Sequence, residues 1–177
     1  MRISGGILRG RQVQVPPGII RPSMDRMRES VFAALGEISG CSFLDIFSGS
    51  GIIALEAASR GARYIEAVES DPLKRKTILE NAALSPVRIN CKFISAELYI
   101  KRAKRAFDII FLDPPFPYKY RENLIKSIAE SKLVTNETTL LLHRPKNEKQ
   151  AKQFYTLLLK ESRMYGASVV DFFSAPG

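Results

Sequence analysis

The stretch Ser42-Phe43-Leu44-Asp45-Ile46-Phe47-Ser48-Gly49-Ser50-Gly51 reads as a short apolar strand running into a glycine turn, and a helical pattern follows it as far as Gly61. Strand, turn and helix in that order open an α/β unit. Within the stretch, Asp45, Gly49 and Gly51 have the spacing D-x-x-x-G-x-G. Glycines at such a turn let the backbone approach a ligand closely, and the amino end of the next helix supplies free N–H donors. A dinucleotide fingerprint fits the same letters, since its last position accepts alanine and Ala54 stands there. An acid about twenty positions further on, at a strand end, is the expected acceptor for ribose hydroxyls, and Glu69 occupies that place. Either kind of nucleoside cofactor would use it, and a plain tight turn with an ordinary strand-end carboxylate would show the same residues.

Outward from this unit the alternation repeats. Residues 64–69 read as a strand and 72–84 as a helix, 89–94 as a strand and 97–105 as a helix, 107–113 as a strand and 121–132 as a helix, with a fifth strand at 138–143. Such alternation predicts a mostly parallel sheet covered on both faces. The rhythm breaks at the end, where 154–159 and 168–173 suggest two strands turning near Tyr165-Gly166, an antiparallel hairpin at the edge of a seven-stranded sheet. Towards the start, Met27, Val31 and Leu35 share one face of a helix over 23–35, with Ser23 as its N-cap. Ahead of it, residues 8–15 alternate Arg9, Arg11, Val13 and Val15 in strand fashion, which predicts a small basic β-hairpin. The expected organisation is therefore an extension over residues 1–20 and one α/β domain over 21–177, a length that a single core can serve.

The fourth strand ends on chemistry. After Phe107-Asp108-Ile109-Ile110-Phe111-Leu112 come Asp113-Pro114-Pro115-Phe116, an acid, two rigid prolines and an aromatic ring. In open α/β sheets ligands bind at the carboxyl ends of strands, so Asp113 is delivered to a cleft. Proline restricts both its own φ and the residue before it, which fixes the directions of the oxygens on Asp113 and Pro114. Phe116 adds a flat apolar face.

A net charge of +9 on 177 residues points to an anionic partner such as nucleic acid. The first thirty residues hold Arg2, Arg9, Arg11, Arg21, Arg26 and Arg28 against Asp25 and Glu29, with no lysine. The planar guanidinium suits bidentate phosphate contacts, although a solubilising face would carry the same charges. The run Lys101, Arg102, Lys104 and Arg105 reads as solvated surface. Lys119 and Arg121, set among Pro117, Tyr118 and Tyr120, fit either an RNA contact or a helix-entry loop. Hydrophobic content of 45% and charged content of 25% are those of ordinary globular chains, and no apolar stretch approaches bilayer length. Met1-Arg2-Ile3-Ser4-Gly5-Gly6 lacks a secretory apolar core, so the cytoplasm is the expected compartment and a monomer the expected state. Cys41, Cys91 and the single histidine, His143, do not make a metal-ligand pattern; the cysteines read as buried small hydrophobes and no metal is expected.

With these residues together, the chain resembles the S-adenosylmethionine-dependent methyltransferases with a Rossmann-like fold, whose exocyclic-amine branch carries Asp/Asn-Pro-Pro-Tyr/Phe after the fourth strand. It is most similar to the bacterial small-subunit (16S) ribosomal RNA guanine-N2 methyltransferase family. The likeness runs nearly end to end, through Arg9-Gly10-Arg11, Arg21-Pro22-Ser23, Asp25-Arg26-Met27-Arg28-Glu29, Leu44 to Gly51, Glu69, Asn81 and Asp113-Pro114-Pro115-Phe116. The arginine-rich segment around Asp25 is its most discriminating piece. The resemblance implies that Asp45, Phe47, Gly49, Gly51 and Glu69 hold the cofactor, with Ser95, Ala96 and Asp113 beside it. It implies RNA contacts from Arg9, Arg11, Arg21, Arg26, Arg28, Lys119 and Arg121, catalysis by Asp113, Pro114 and Phe116, and 16S RNA, naked or in a ribosomal particle, as substrate. Two departures stand out: Ser95 replaces an acid expected to meet the adenine amino group, leaving Glu97 or the Ser95 hydroxyl for that contact, and His143 stands where relatives often have an acid. A structural role is the expectation for His143. DNA adenine methyltransferases and non-enzymatic RNA-binding modules are the competing classes; the first share Asp-Pro-Pro-Phe but need extra sequence for target recognition, and the second leave three strand-end acids without a purpose.

Overall fold

In a computed structural model, residues 1–15 and 24–176 are described, and they form eight strands and five α-helices. Ser23, Arg21 and the expected boundary at residues 20 and 21 lie outside them. Helix α1 (Met24–Leu35) leads into β1 (Ser42–Ile46), α2 (Ile52–Ser59), β2 (Tyr64–Val68), a 3-10 turn (Pro72–Lys74) continuing as α3 (Arg75–Ala82), and β3 (Ile89–Lys92). Then come α4 (Ala96–Lys101), β4 (Ile109–Leu112), α5 (Arg121–Ala129), β5 (Thr139–Pro145), β6 (Gln153–Phe154), β7 (Leu157–Tyr165) and β8 (Ser168–Ser174). No helix among them is long and apolar enough to cross a membrane.

The strand order is β3-β2-β1-β4-β5-β8-β7-β6, with the first five strands parallel and the rest antiparallel. The chain runs outward from β1 to β3 and returns to β4, so the crossover crevice opens between β1 and β4 at their carboxyl ends. Alternation along each strand divides the core. Phe43, Ile65, Ile109, Phe111 and Leu141 pack with Met27, Val31, Phe32 and Ile53 on the face covered by α1, α2 and α3. Leu44, Ile46, Ile110, Leu112 and Leu142 pack with Ile100, Leu124 and Ile125 on the face covered by α4 and α5. Each such fully buried side chain contributes roughly 1.5–3 kcal/mol relative to exposure. Helix α2 is buried on every side, as expected of a helix apolar all round.

The expected alternation and parallel sheet are present, with local differences. An eighth strand appears because the chain reverses at Tyr155-Thr156, splitting the expected strand over 154–159 into β6 and the start of β7; Tyr155 takes the turn with φ 53°. At the amino end the expected hairpin is present in minimal form, with residues 8–15 making a single bridge rather than a full strand. The segment folds back on itself through one antiparallel bridge, Arg2 to Gln12, and Ile3 donates its N–H to the Arg11 carbonyl at 3.0 Å. Its partners explain this: Ile3 and Val13 are buried in the α1–α2 core, and the Leu8 N–H is taken by Ser59 Oγ at 2.9 Å instead of a strand neighbour. Cys41 and Cys91 are free and half-buried at the edge of the core rather than inside it.

Candidate active site

Register brings the acids together. β1 and β4 pair with Ile46 opposite Leu112, β1 and β2 with Ile46 opposite Val68, and β4 and β5 with Leu112 opposite Leu142. Glu69 and Asp113 therefore follow the last residues of β2 and β4, on either side of β1, and His143 lies one step beyond the β4–β5 pairing, inside β5 and opposite Val170 of β8. Asp45 lies one residue inside β1 and is almost wholly buried, on the Phe43 and Phe111 face towards α2. Its Oδ2 accepts from Ser48 Oγ at 2.6 Å and from the Ala54 N–H at 3.2 Å, satisfying an otherwise orphaned donor in the first turn of α2.

Burial pushes the Asp45 carboxyl up to about 7, with the charges of Asp113 and Glu69 adding to the push and the Ser48 and Ala54 hydrogen bonds opposing it. Because the folded value lies above the ordinary carboxylate one, the stability this group contributes is complete in acid and is lost as pH rises through about 7. Asp45→Asn should therefore flatten the fall in stability between about pH 4 and 7, the range between the ordinary carboxylate value and the raised one, a difference from wild type of a few kcal/mol by calorimetry. Parallel profiles for the two proteins would remove Asp45 as the source.

The glycine turn is built for close approach. Gly49 has φ 59°, and a Cβ there would meet nothing within 4 Å, so the space above it is open. A Cβ on Gly51, at φ 78°, would come 2.9 Å from Ile78 Cγ1, so packing on α3 as well as conformation demands glycine. Phe47 holds a left-handed φ of 64° without being glycine, a strained conformation of the kind that clusters at ligand sites. Glu69 Oε2 accepts from the Gly49 N–H at 2.8 Å and its Oε1 from the Asp71 N–H at 2.9 Å, which ties the ends of β1 and β2 into one rim. Each oxygen keeps a lone pair for a ligand hydroxyl. Asn81 braces the turn from behind, donating to the Ser50 carbonyl at 2.8 Å and bonding both backbone groups of Gln14. A glycine turn with open space above it, a carboxylate at the ribose position and a strained aromatic fit a nucleoside-bearing cofactor.

Asp113 is partly exposed, its N–H held by the Ile46 carbonyl at 3.2 Å. Pro114 is buried and Phe116 is half-buried, with its ring centroid 5.1 Å from that of His143. The Phe116–Pro117 peptide is cis. His143 Nδ1 lies 2.8 Å from Asp113 Oδ1, a contact that periodicity alone did not announce but that the β4–β5 register allows. Ser95 spends its hydroxyl as the N-cap of α4, accepting from the Leu98 N–H, and Ala96 is buried behind it. The Glu97 carboxylate accepts from the Tyr118 hydroxyl, and the Tyr118 ring packs edge-on to Phe47 at 5.3 Å. Tyr118 thus packs against Phe47 and Glu97, contacts that neither sequence reading of its loop anticipated.

The basic residues divide sharply. Arg9, Arg11, Arg26 and Lys119 are exposed, as an RNA contact requires. Arg28 is not: it is completely buried, paired with Glu56 at 3.2 Å and Asp25 at 2.7 Å, and it donates to the Arg2 carbonyl at 2.8 Å. Arg121 is also buried, paired with Glu148 and donating to the Lys149 carbonyl at 2.8 Å. Both are corrected to structural residues, because a buried guanidinium whose charge is paired inside the protein is not presented to a phosphate; even Arg121 Nε, which has no partner among the described residues, is buried.

A family model described as conserved hypothetical protein 95 matches residues 1–174. The ribosomal RNA small subunit methyltransferase D of Escherichia coli strain K12 is 33% identical over 144 residues, covering 79% of this chain and 72% of that protein. The protein of the same name from Haemophilus influenzae is 29% identical over 172 residues, covering 91% and 87% of the two chains. A solved Escherichia coli structure superposes with a TM-score of 0.87 at 27% identity over 100% of this chain and 98% of the other, and one from Thermus thermophilus with 0.83 at 30% over 99% of each. The chain therefore belongs to the conserved hypothetical protein 95 family, which is the family of the ribosomal RNA small subunit methyltransferases D.

Proposed function

We propose that this protein transfers a methyl group from S-adenosylmethionine to the exocyclic N2 amino group of a guanosine in small-subunit (16S) ribosomal RNA. The observation that carries the reading is the register that sets a ribose-type carboxylate, a glycine turn with open space above it, and Asp113-Pro114-Pro115-Phe116 at three neighbouring strand ends. The family's ribosomal RNA methyltransferases supply the substrate class.

When bound, S-adenosylmethionine supplies an electrophilic methyl group on its sulfonium. The chain supplies everything that orients it and its acceptor. Glu69 meets the ribose hydroxyls, and Gly49 with Gly51 lets the backbone approach the ligand closely. The guanine amine is a poor nucleophile because its lone pair is delocalised into the ring. Asp113 and the Pro114 carbonyl accept its two N–H groups, which favours a pyramidal nitrogen with its lone pair turned towards the methyl. Phe116 stacks on the base, worth about 1–3 kcal/mol, and holds it at near-attack distance once it has left its own stack. The N–CH3 bond forms as the S–CH3 bond breaks, leaving S-adenosylhomocysteine, and the amine releases one proton to solvent past Asp113, so no covalent intermediate is needed.

The test is tritiated methyl transfer to small-subunit particles, naked ribosomal RNA and duplex DNA, followed by nucleoside analysis. Labelled N2-methylguanosine supports the reading; label in DNA adenine, or none, overturns it. Arg9, Arg11, Arg26 and Lys119 are the exposed cations offered to phosphate. Arg9→Ala with Arg11→Ala should weaken RNA binding and make its log–log salt dependence shallower by about 0.7 for each phosphate no longer neutralised. An unchanged slope would place the RNA elsewhere.

A further inference from the structure

We propose that His143 is a positioning residue that locks the Asp113 carboxylate for methyl transfer; the inference rests on the function proposed above. Four observations converge on it. β4 and β5 pair with Leu112 opposite Leu142, so Asp113, just past the end of β4, and His143, which stays inside β5 opposite Val170 of β8, come side by side on the same face as Phe111 and Leu141. His143 Nδ1 lies 2.8 Å from Asp113 Oδ1, and a carboxylate can only accept, so Nδ1 carries the proton. The imidazole is 2% exposed while the Asp113 side chain keeps 22%, so a sealed group steers one that faces the cleft. Nε2 has no protein partner among the described residues, which makes the Asp113 bond the sole hydrogen bond of a buried, polar ring there.

The consequence is geometric. With Oδ1 held, the carboxylate cannot rotate, and Oδ2, which has no protein partner among the described residues, is left for the acceptor amine. The same ring touches Phe116 at 5.1 Å between centroids, so one side chain sets both the acid and the stacking surface of the tetrapeptide. A buried histidine serving only to fill space would not need to face the one carboxylate on which the chemistry depends.

His143→Leu keeps the volume and removes the donor, and His143→Asn restores an N–H near the place of Nδ1. The expected result is a fall in kcat on the order of 10- to 100-fold for the leucine variant with KM for S-adenosylmethionine unchanged, and recovery to within about threefold of wild type for the asparagine variant. A purely structural role predicts the opposite order, since leucine suits a buried apolar site and asparagine does not; that order, in both kcat and melting temperature, overturns the proposal. His143 is the only histidine, so imidazole nitrogen resonances report on it without assignment. An Nδ1–H tautomer whose slowly exchanging proton disappears in Asp113→Ala supports the pairing, and an Nε2–H tautomer refutes it. Wild type that transfers no methyl to any RNA overturns the proposed function and this role with it, whereas active wild type with an equally active His143→Leu overturns this role alone.

Discussion

Asp113→Ala should lower methyl transfer by 10²-fold or more, of the order of ~10²–10³ for one missing electrostatic contact to a reacting group, while S-adenosylmethionine affinity stays within a few-fold of wild type. The split follows from the strands involved. The proposed ribose and turn contacts belong to the ends of β1 and β2, where Glu69 and the Gly49 N–H hold each other at 2.8 Å, and none of these bonds uses Asp113. The backbone of Asp113 is anchored by its own N–H to the Ile46 carbonyl at 3.2 Å, a bond that alanine retains, so the strand end and Pro114 should stay in place. What alanine removes is the acceptor that localises the amine lone pair. Single-turnover transfer at saturating cofactor, paired with calorimetric cofactor binding, separates the two quantities. Strong residual turnover would count against the mechanism, and a matching collapse in cofactor affinity would make Asp113 a binding residue instead.

The largest effect on stability is expected from Arg28, one of the arginines whose sequence context suggested an RNA contact. Its guanidinium joins three pieces of chain: α1 through Asp25, α2 through the completely buried Glu56, and the amino-terminal segment through the Arg2 carbonyl. Glu56 also pairs with Arg60 and accepts the Ser4 N–H at 2.6 Å, so the carboxylate is the hub and Arg28 its most buried counter-charge. Removing one partner of a buried pair strands the other, a loss of about 3–5 kcal/mol. For a chain of this size, Arg28→Met should lower the melting temperature by roughly 6–20 °C. Arg26→Ala, two residues away on the exposed side of the same helix, should leave it nearly unchanged. The pair is informative because the two residues are chemically identical; equal melting temperatures for the two variants would show that the buried network is not what holds the amino-terminal segment down.

Local pattern carried much of this protein. Short apolar runs, glycine turns and helix spacing were enough for the parallel sheet and its antiparallel edge, because a strand between two helical layers is nearly apolar throughout and its polar residues concentrate at or near its end. That is why Asp45, Glu69 and Asp113 were legible as candidate site residues before their contacts were known. Local pattern misleads where burial is decided by distant chain. Charge says nothing about which face of a helix meets another helix, so Arg26 and Arg28 look alike until α1 is laid against α2 and the second is sealed over Glu56. The amino-terminal alternation looked like a strand, yet the hairpin there closes through a single bridge and the Leu8 N–H goes to Ser59 on α2.

Residue order alone was enough for the succession of elements and for the acids and glycines at their ends, since these depend on neighbours a few residues apart. That His143 lies 2.8 Å from Asp113 and that Tyr118 turns inward to Glu97 was settled only in three dimensions, because both contacts depend on strand register and loop path between residues 21 or more positions apart.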